Sequence, residues 1–110
     1  MIVRIQGKTS QERHGITSAA SDAVGDAGGY IVDFKQFSNL AVVFTIELPA
    51  VGYLKLRTKL GGLGVQLEPP SKEESALAAG VGPEEVAGSL RLDFQHHEPD
   101  MRIPIPAVPG

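Results

Sequence analysis

Glu12-Arg13-His14-Gly15-Ile16 is a tight polar turn containing a glycine, and the periodicity of the chain changes across it. Before it, Met1, Val3 and Ile5 alternate with Ile2, Arg4 and Gln6. Period two over a short β-rich run predicts a strand with one face more buried. Gly7-Lys8-Thr9-Ser10 reads as loop. After the turn, Ile16, Ala19, Ala20, Ala23, Val24 and Ala27 recur at helical spacing and form one apolar stripe. Those residues are small, so the helix can lie close against a sheet. Gly25 costs about 1 kcal/mol against alanine. Gly28-Gly29 stops the helix, because glycine takes the left-handed cap without steric penalty.

Tyr30 to Phe37 is strand-like, with Tyr30, Val32 and Phe34 expected on one face and Ile31, Asp33 and Lys35 on the other. Ser38-Asn39 supplies turn chemistry. Leu40 to Leu48 is the strongest strand pattern, with Val42, Phe44, Ile46 and Leu48 sharing a face. Two such strands about a short polar turn predict an antiparallel hairpin. Pro49 ends the second, having no N–H for the ladder. A second helix is expected from about Val51 to Leu60, with Tyr53, Leu56 and Leu60 inward and Lys55, Arg57 and Lys59 mostly outward. Gly61-Gly62 closes it, and Val65 to Glu68 reads as a short strand before Pro69-Pro70.

This order is β-α-β-β-α-β, the split βαβ or ferredoxin-like arrangement. The expected fold class is α+β: an antiparallel four-stranded sheet with two helices on one face. Residues 1–70 make that domain, and residues 71–110 a C-terminal extension packed on it or on a dimer partner. In the extension, Ser71 and Glu74 have capping-box spacing before a short apolar run. Pro83-Glu84-Glu85-Val86 has the composition of one further helical turn. Ser89 to His97 returns to alternation, with Leu90, Leu92 and Phe94 on one face, and predicts an extra strand. Pro99, Pro104, Pro106 and Pro109 then favour an extended tail in which Met101, Ile103 and Ile105 alternate.

The chain has 110 residues, 42% of them hydrophobic, and a formal net charge of −3. That suffices for one core. A general nucleic-acid or anionic-membrane binder carries a basic excess, which is absent, so neither partner is expected. There is no cysteine, which excludes disulfides, thiolate catalysis and thiolate-held iron–sulfur clusters. No apolar run approaches the roughly 20 residues that span a bilayer. The N-terminal residues read as a strand and not as a signal peptide. A cytoplasmic location is the expectation.

With this order in place, Glu12-Arg13-His14-Gly15-Ile16 resembles the Asp-Arg-Pro-Gly-Ile type of motif between the first strand and first helix of ACT domains. Ile31-Val32-Asp33-Phe34-Lys35-Gln36 resembles the second strand of the ACT domains of phosphoserine phosphatases and glycine-cleavage regulators. Leu60-Gly61-Gly62-Leu63-Gly64-Val65 resembles the family's turn from the second helix to the last strand. The resemblance covers roughly residues 1 to 68. It implies a regulatory domain, commonly paired, that binds a small ligand such as an amino acid at a subunit interface near the first-loop glycine. On this chain that role falls to Gly15, with His14 and Ile16 beside it. Two positions depart from the motif. Glu12 stands where the shorter Asp, a better N-cap, is usual. His14 stands where proline is usual, so the pre-set φ is lost.

Free N–H groups at a helix start, together with the helix dipole, suit a carboxylate, although water and the loop's own side chains satisfy most such sites. His14 can contribute a hydrogen bond to a ligand, but an exposed loop histidine is the plainer account. His96 and Glu98 share a strand face while His97 points away, giving two ligands where a closed zinc site needs four. No metal and no cofactor are expected. Gly61-Gly62-Leu63-Gly64 lacks the Lys-Ser/Thr of a phosphate loop, and no nucleophile-elbow spacing occurs. The expected function is that of a stand-alone regulatory domain, a homodimer binding an amino acid or similar small carboxylate, without enzyme activity. The alternative is a ligand-free homodimerisation or protein-interaction module of the same fold.

Overall fold

A computed structural model describes residues 2–37, 40–80 and 84–95. Their order is β1 (Ile2–Thr9), α1 (Arg13–Asp26), β2 (Tyr30–Phe37), β3 (Ala41–Pro49), α2 (Gly52–Gly62), β4 (Gln66–Leu67), α3 (Lys72–Ala78) and β5 (Glu85–Phe94). The chain is α+β, as its periodicities predict. Among the described residues, however, the sheet has five strands in the order β2-β3-β5-β1-β4. β5 is not an added edge. It lies in the middle, antiparallel to β3 and parallel to β1, so the sheet is mixed and not a four-stranded antiparallel one. Alternation reveals which face of a strand is buried but not which strand lies beside it, so the period-two pattern of β5 could not fix its neighbours.

The strict alternation of β1 extends through Gly7 and Thr9, so of the segment read as loop Gly7, Lys8 and Thr9 are strand and only Ser10 lies beyond it. Glu85 and Val86, read as part of a helical turn, open β5. The short helix after Ser71 is present, with the Ser71 hydroxyl accepting from Glu74 N at 3.2 Å. The reciprocal half of the capping box does not form, because the Glu74 carboxylate turns to Arg57 instead.

All three helices contribute to one core on one face of the sheet. Ile16, Ala20, Ala23 and Val24 of α1 and Tyr53, Leu56 and Leu60 of α2 meet Val3, Ile5, Phe44, Ile46, Leu90 and Leu92 from the strands. The opposite face carries Arg4, Gln6, Lys8, Thr45 and Arg91 and is exposed. The end of α1 is closed by Gly28, at φ 92°, with Gly29 N donating to Val24 O at 3.0 Å. That is the glycine cap expected from sequence.

β2 departs from simple alternation. Its register with β3 shifts between Ile31 and Asp33, leaving Val32 as the extra residue of a bulge. Ile31 then pairs with Ile46 and Phe34 with Phe44, so both face the helices. The expectation that Tyr30, Val32 and Phe34 share a face fails because a bulge inserts one residue and flips every side chain beyond it. Ser38-Asn39, His96, His97, Glu98 and the proline-spaced tail lie outside the described residues.

Candidate functional site

The three residues singled out at the first turn do not converge. Ile16 is 4% exposed and belongs to the core. Gly15 is exposed and, with Ile16, lines a hollow of about 200 Å³ that also touches Gln11, Glu12 and Leu63. His14 borders a different and larger groove, on the β2 side of α1.

The donors at the start of α1 are already engaged. Glu12 is the N-cap, and its carboxylate accepts from His14 N at 2.9 Å and from Gly15 N at 2.8 Å. Ile16 N donates to the Glu12 carbonyl at 3.0 Å. The longer side chain therefore does reach cap geometry, by bridging two N–H groups. Those bonds from His14 and then Gly15 hold the Glu12 carboxyl below its usual pKa. The helix end thus binds a carboxylate, but it is the chain's own. A free carboxylate that used these donors would have to displace Glu12.

The larger groove has a volume of about 520 Å³. One wall is α1, with Arg13, His14, Thr17, Ser18, Ser21 and Asp22; the floor is Phe34 and Phe44. Those rings lie 5.2 Å apart at 50°, a tilted aromatic contact. Arg13 Nη2 lies 3.3 Å from His14 Nε2, which holds both side chains on the same wall. Thr17 Oγ1 is buried and has no hydrogen-bond partner among the described residues. The Arg13 cation, the hydroxyls and the Asp22 carboxylate over an aromatic floor can hold a small polar molecule with one apolar part. Sequence reading singles out His14 but misses this wall. Periodicity assigns Thr17, Ser18 and Ser21 only to the polar side of α1, and the flip of Phe34 depends on the bulge.

A second groove, of about 430 Å³, runs between α2 and α3 and includes Val51, Tyr53, Leu54, Arg57, Glu74 and Leu77. At its base Arg57 Nε and Nη2 clasp the two oxygens of Glu74, the latter bond at 2.9 Å, while Nη1 donates to Glu68 O at 2.9 Å. Their side chains are only 14% and 6% exposed. Arg57, expected outside, is drawn in by a carboxylate that covers it. The paired charges fasten α3 and the end of β4 to α2. Tyr53 donates to Val86 O at 2.8 Å, and burial pushes its hydroxyl well above the ordinary phenol pKa.

Among the described residues there is no group of three or more His, Cys, Asp or Glu side chains placed to hold a metal ion. No described helix is long and apolar enough to cross a membrane. No family model, curated protein or solved structure matches this chain.

Proposed function

We propose that this chain is a homotypic association module, built on a ferredoxin-like βαββαβ scaffold into which a fifth strand has been inserted. Removing β5 from the order β2-β3-β5-β1-β4 leaves β2-β3-β1-β4, which supports that descent. The observation that carries the association is β2. Among the described residues it is an eight-residue strand at the edge of the sheet, and it exposes Tyr30, Val32, Phe34 and Phe37 by 61%, 57%, 43% and 48%. A long apolar edge presents unpaired N–H and C=O groups and is a template for another strand. The other edge, β4, has two residues and offers no such template. The alternation and the apolar, proline-spaced tail over Ser89 to Ile105 suggest from sequence that this stretch helps form the dimer; of it, Ser89 to Phe94 are already paired on both sides within the sheet and have no edge to offer, while residues 96–105 lie outside the described ones. Sedimentation across a concentration series tests this: a reversible dimer is expected, weakened by Val32→Lys. Monomer mass throughout, in a folded protein, would refute it.

A second reading is favoured by the groove beside α1. A small carboxylate, an amino acid above all, would sit against Arg13, His14 and Ser18, with its side chain over Phe34 and Phe44, next to the associating edge. Gly15 and Ile16 would then support the site from behind, through α1, instead of touching the ligand. Calorimetry against the common amino acids at millimolar concentration tests it. Heat that is lost in Ser18→Leu supports it; no heat from any amino acid excludes it.

A further inference from the structure

We propose that two copies of β2 pair antiparallel about a two-fold axis passing between their Phe34 residues, so that Asp33 of each copy faces Lys35 of the other. The inference rests on the association reading above and supplies its register.

The argument is one of symmetry and charge. A two-fold axis normal to an antiparallel pair sets one residue opposite its own copy, and the residues on either side opposite one another. Centred on Asp33, the axis would oppose two carboxylates; centred on Lys35, two ammonium groups. Like charges directly opposite one another destabilise a sheet. Centred on Val32, it would set Asp33 against Ile31 of the partner subunit. Centred on Gln36, it would set Lys35 against Phe37 of the partner subunit. Only the axis at Phe34 opposes both charges to their complements, and symmetry makes it do so twice.

The side chains are placed for this. Asp33 pairs with Thr45 and Lys35 with Val43 on β3, so both project from the sheet face opposite the helices. Both are exposed, and neither forms an ion pair with another described residue. Phe34 projects to the helix face beside Phe44. At the axis the two Phe34 rings would meet and lengthen each tilted pair into a row of four. Charged residues on an edge strand commonly discourage pairing. Here an acid and a base, two residues apart on one face, discourage every register but one. The bulge at Val32 limits the regular ladder to Asp33 and beyond, so the contact centres on this short charged stretch.

The absence of cysteine makes the register directly readable. Single-cysteine variants of the full chain at Val32, Asp33, Phe34, Lys35 and Gln36 are oxidised under mild conditions. Disulfide-linked dimer is expected to peak at Phe34→Cys, since directly opposed residues fall within disulfide reach. Asp33→Cys mixed with Lys35→Cys should link more than either alone. Independently, Asp33→Lys and Lys35→Asp should each weaken the dimer about tenfold, a change of about 1.4 kcal/mol. The double exchange, Asp33→Lys with Lys35→Asp, should restore it. A dimer whose link peaks at another position, or that ignores the charge exchange, overturns this register and leaves homotypic association standing. Monomer throughout overturns both.

Discussion

Glu12 does at the start of α1 what a bound anion would otherwise do. Its folded pKa lies below the ordinary 4.5, so its contribution is fully present above that value and is lost as pH falls through the lower, folded one. Glu12→Ala should therefore lower the unfolding temperature at neutral pH and flatten the acid limb of stability below pH 4.5, measured by thermal melts across a pH series. An unchanged acid limb would mean the cap is not holding. The second residue-scale feature is the Arg57–Glu74 clasp. Removing one partner of a buried pair strands a charge and costs about 3–5 kcal/mol. Arg57→Met and Glu74→Leu should each lose stability on that scale in denaturant titrations. The two changes together should cost far less than their sum. Ser71 and Glu74 were legible in the sequence because a cap is local. Arg57 was not, since its partner lies on another helix and no spacing rule connects them.

At the scale of elements, β5 and α2 constrain each other through Gly88. A Cβ on Gly88 would overlap the Tyr53 hydroxyl, which is fixed by its bond to Val86 O. Gly88→Ala should be destabilising by roughly 1–3 kcal/mol, as overpacking in a core generally is. Tyr53→Phe alone leaves Val86 O short of a donor and costs about 1–3 kcal/mol. Combining them removes the clashing oxygen, so the double variant should be more stable than additivity allows; strict additivity would show that the two positions do not meet. The helices and the faces of β1, β3 and β5 could be read from sequence, because periods of 3.6 and two report burial directly. Two things could not. The bulge in β2 adds a single residue and leaves no compositional mark, yet it decides that Phe34 floors the groove beside α1. The start of β5 was hidden by Glu84-Glu85 and by Gly88, whose smallness serves Tyr53 and not a turn.

For the whole molecule, the place of β5 sets how much of the chain must be present to fold. Ile2 pairs with Ala87 and Thr9 with Phe94, so the parallel ladder joins the two ends of the described chain. Non-local pairing of that kind is paid for in loop entropy before it returns any contact. Val86, Leu90, Leu92 and Phe94 are all buried on the helix face of β5. At about 1.5–3 kcal/mol for each buried side chain, their loss amounts to roughly 6–12 kcal/mol, comparable to the 5–15 kcal/mol that holds a domain together. A chain ending at Pro70 should therefore show no cooperative thermal transition, although it contains every element of a βαββαβ unit. A chain ending at Gln95 should melt cooperatively. The opposing possibility is that β3 closes onto β1 when β5 is removed. Closing that gap means moving the strands together by one spacing, about 4.8 Å, and carrying α1 and α2 with them. The two helices already touch each other, and their Leu56, Leu60, Ala20 and Val24 are at or near zero exposure. Interiors packed that tightly do not absorb such a shift without overlap. Circular dichroism and hydrogen exchange on the two truncations decide the matter. A cooperative transition in the shorter chain would show that the other four strands can close into a sheet without β5.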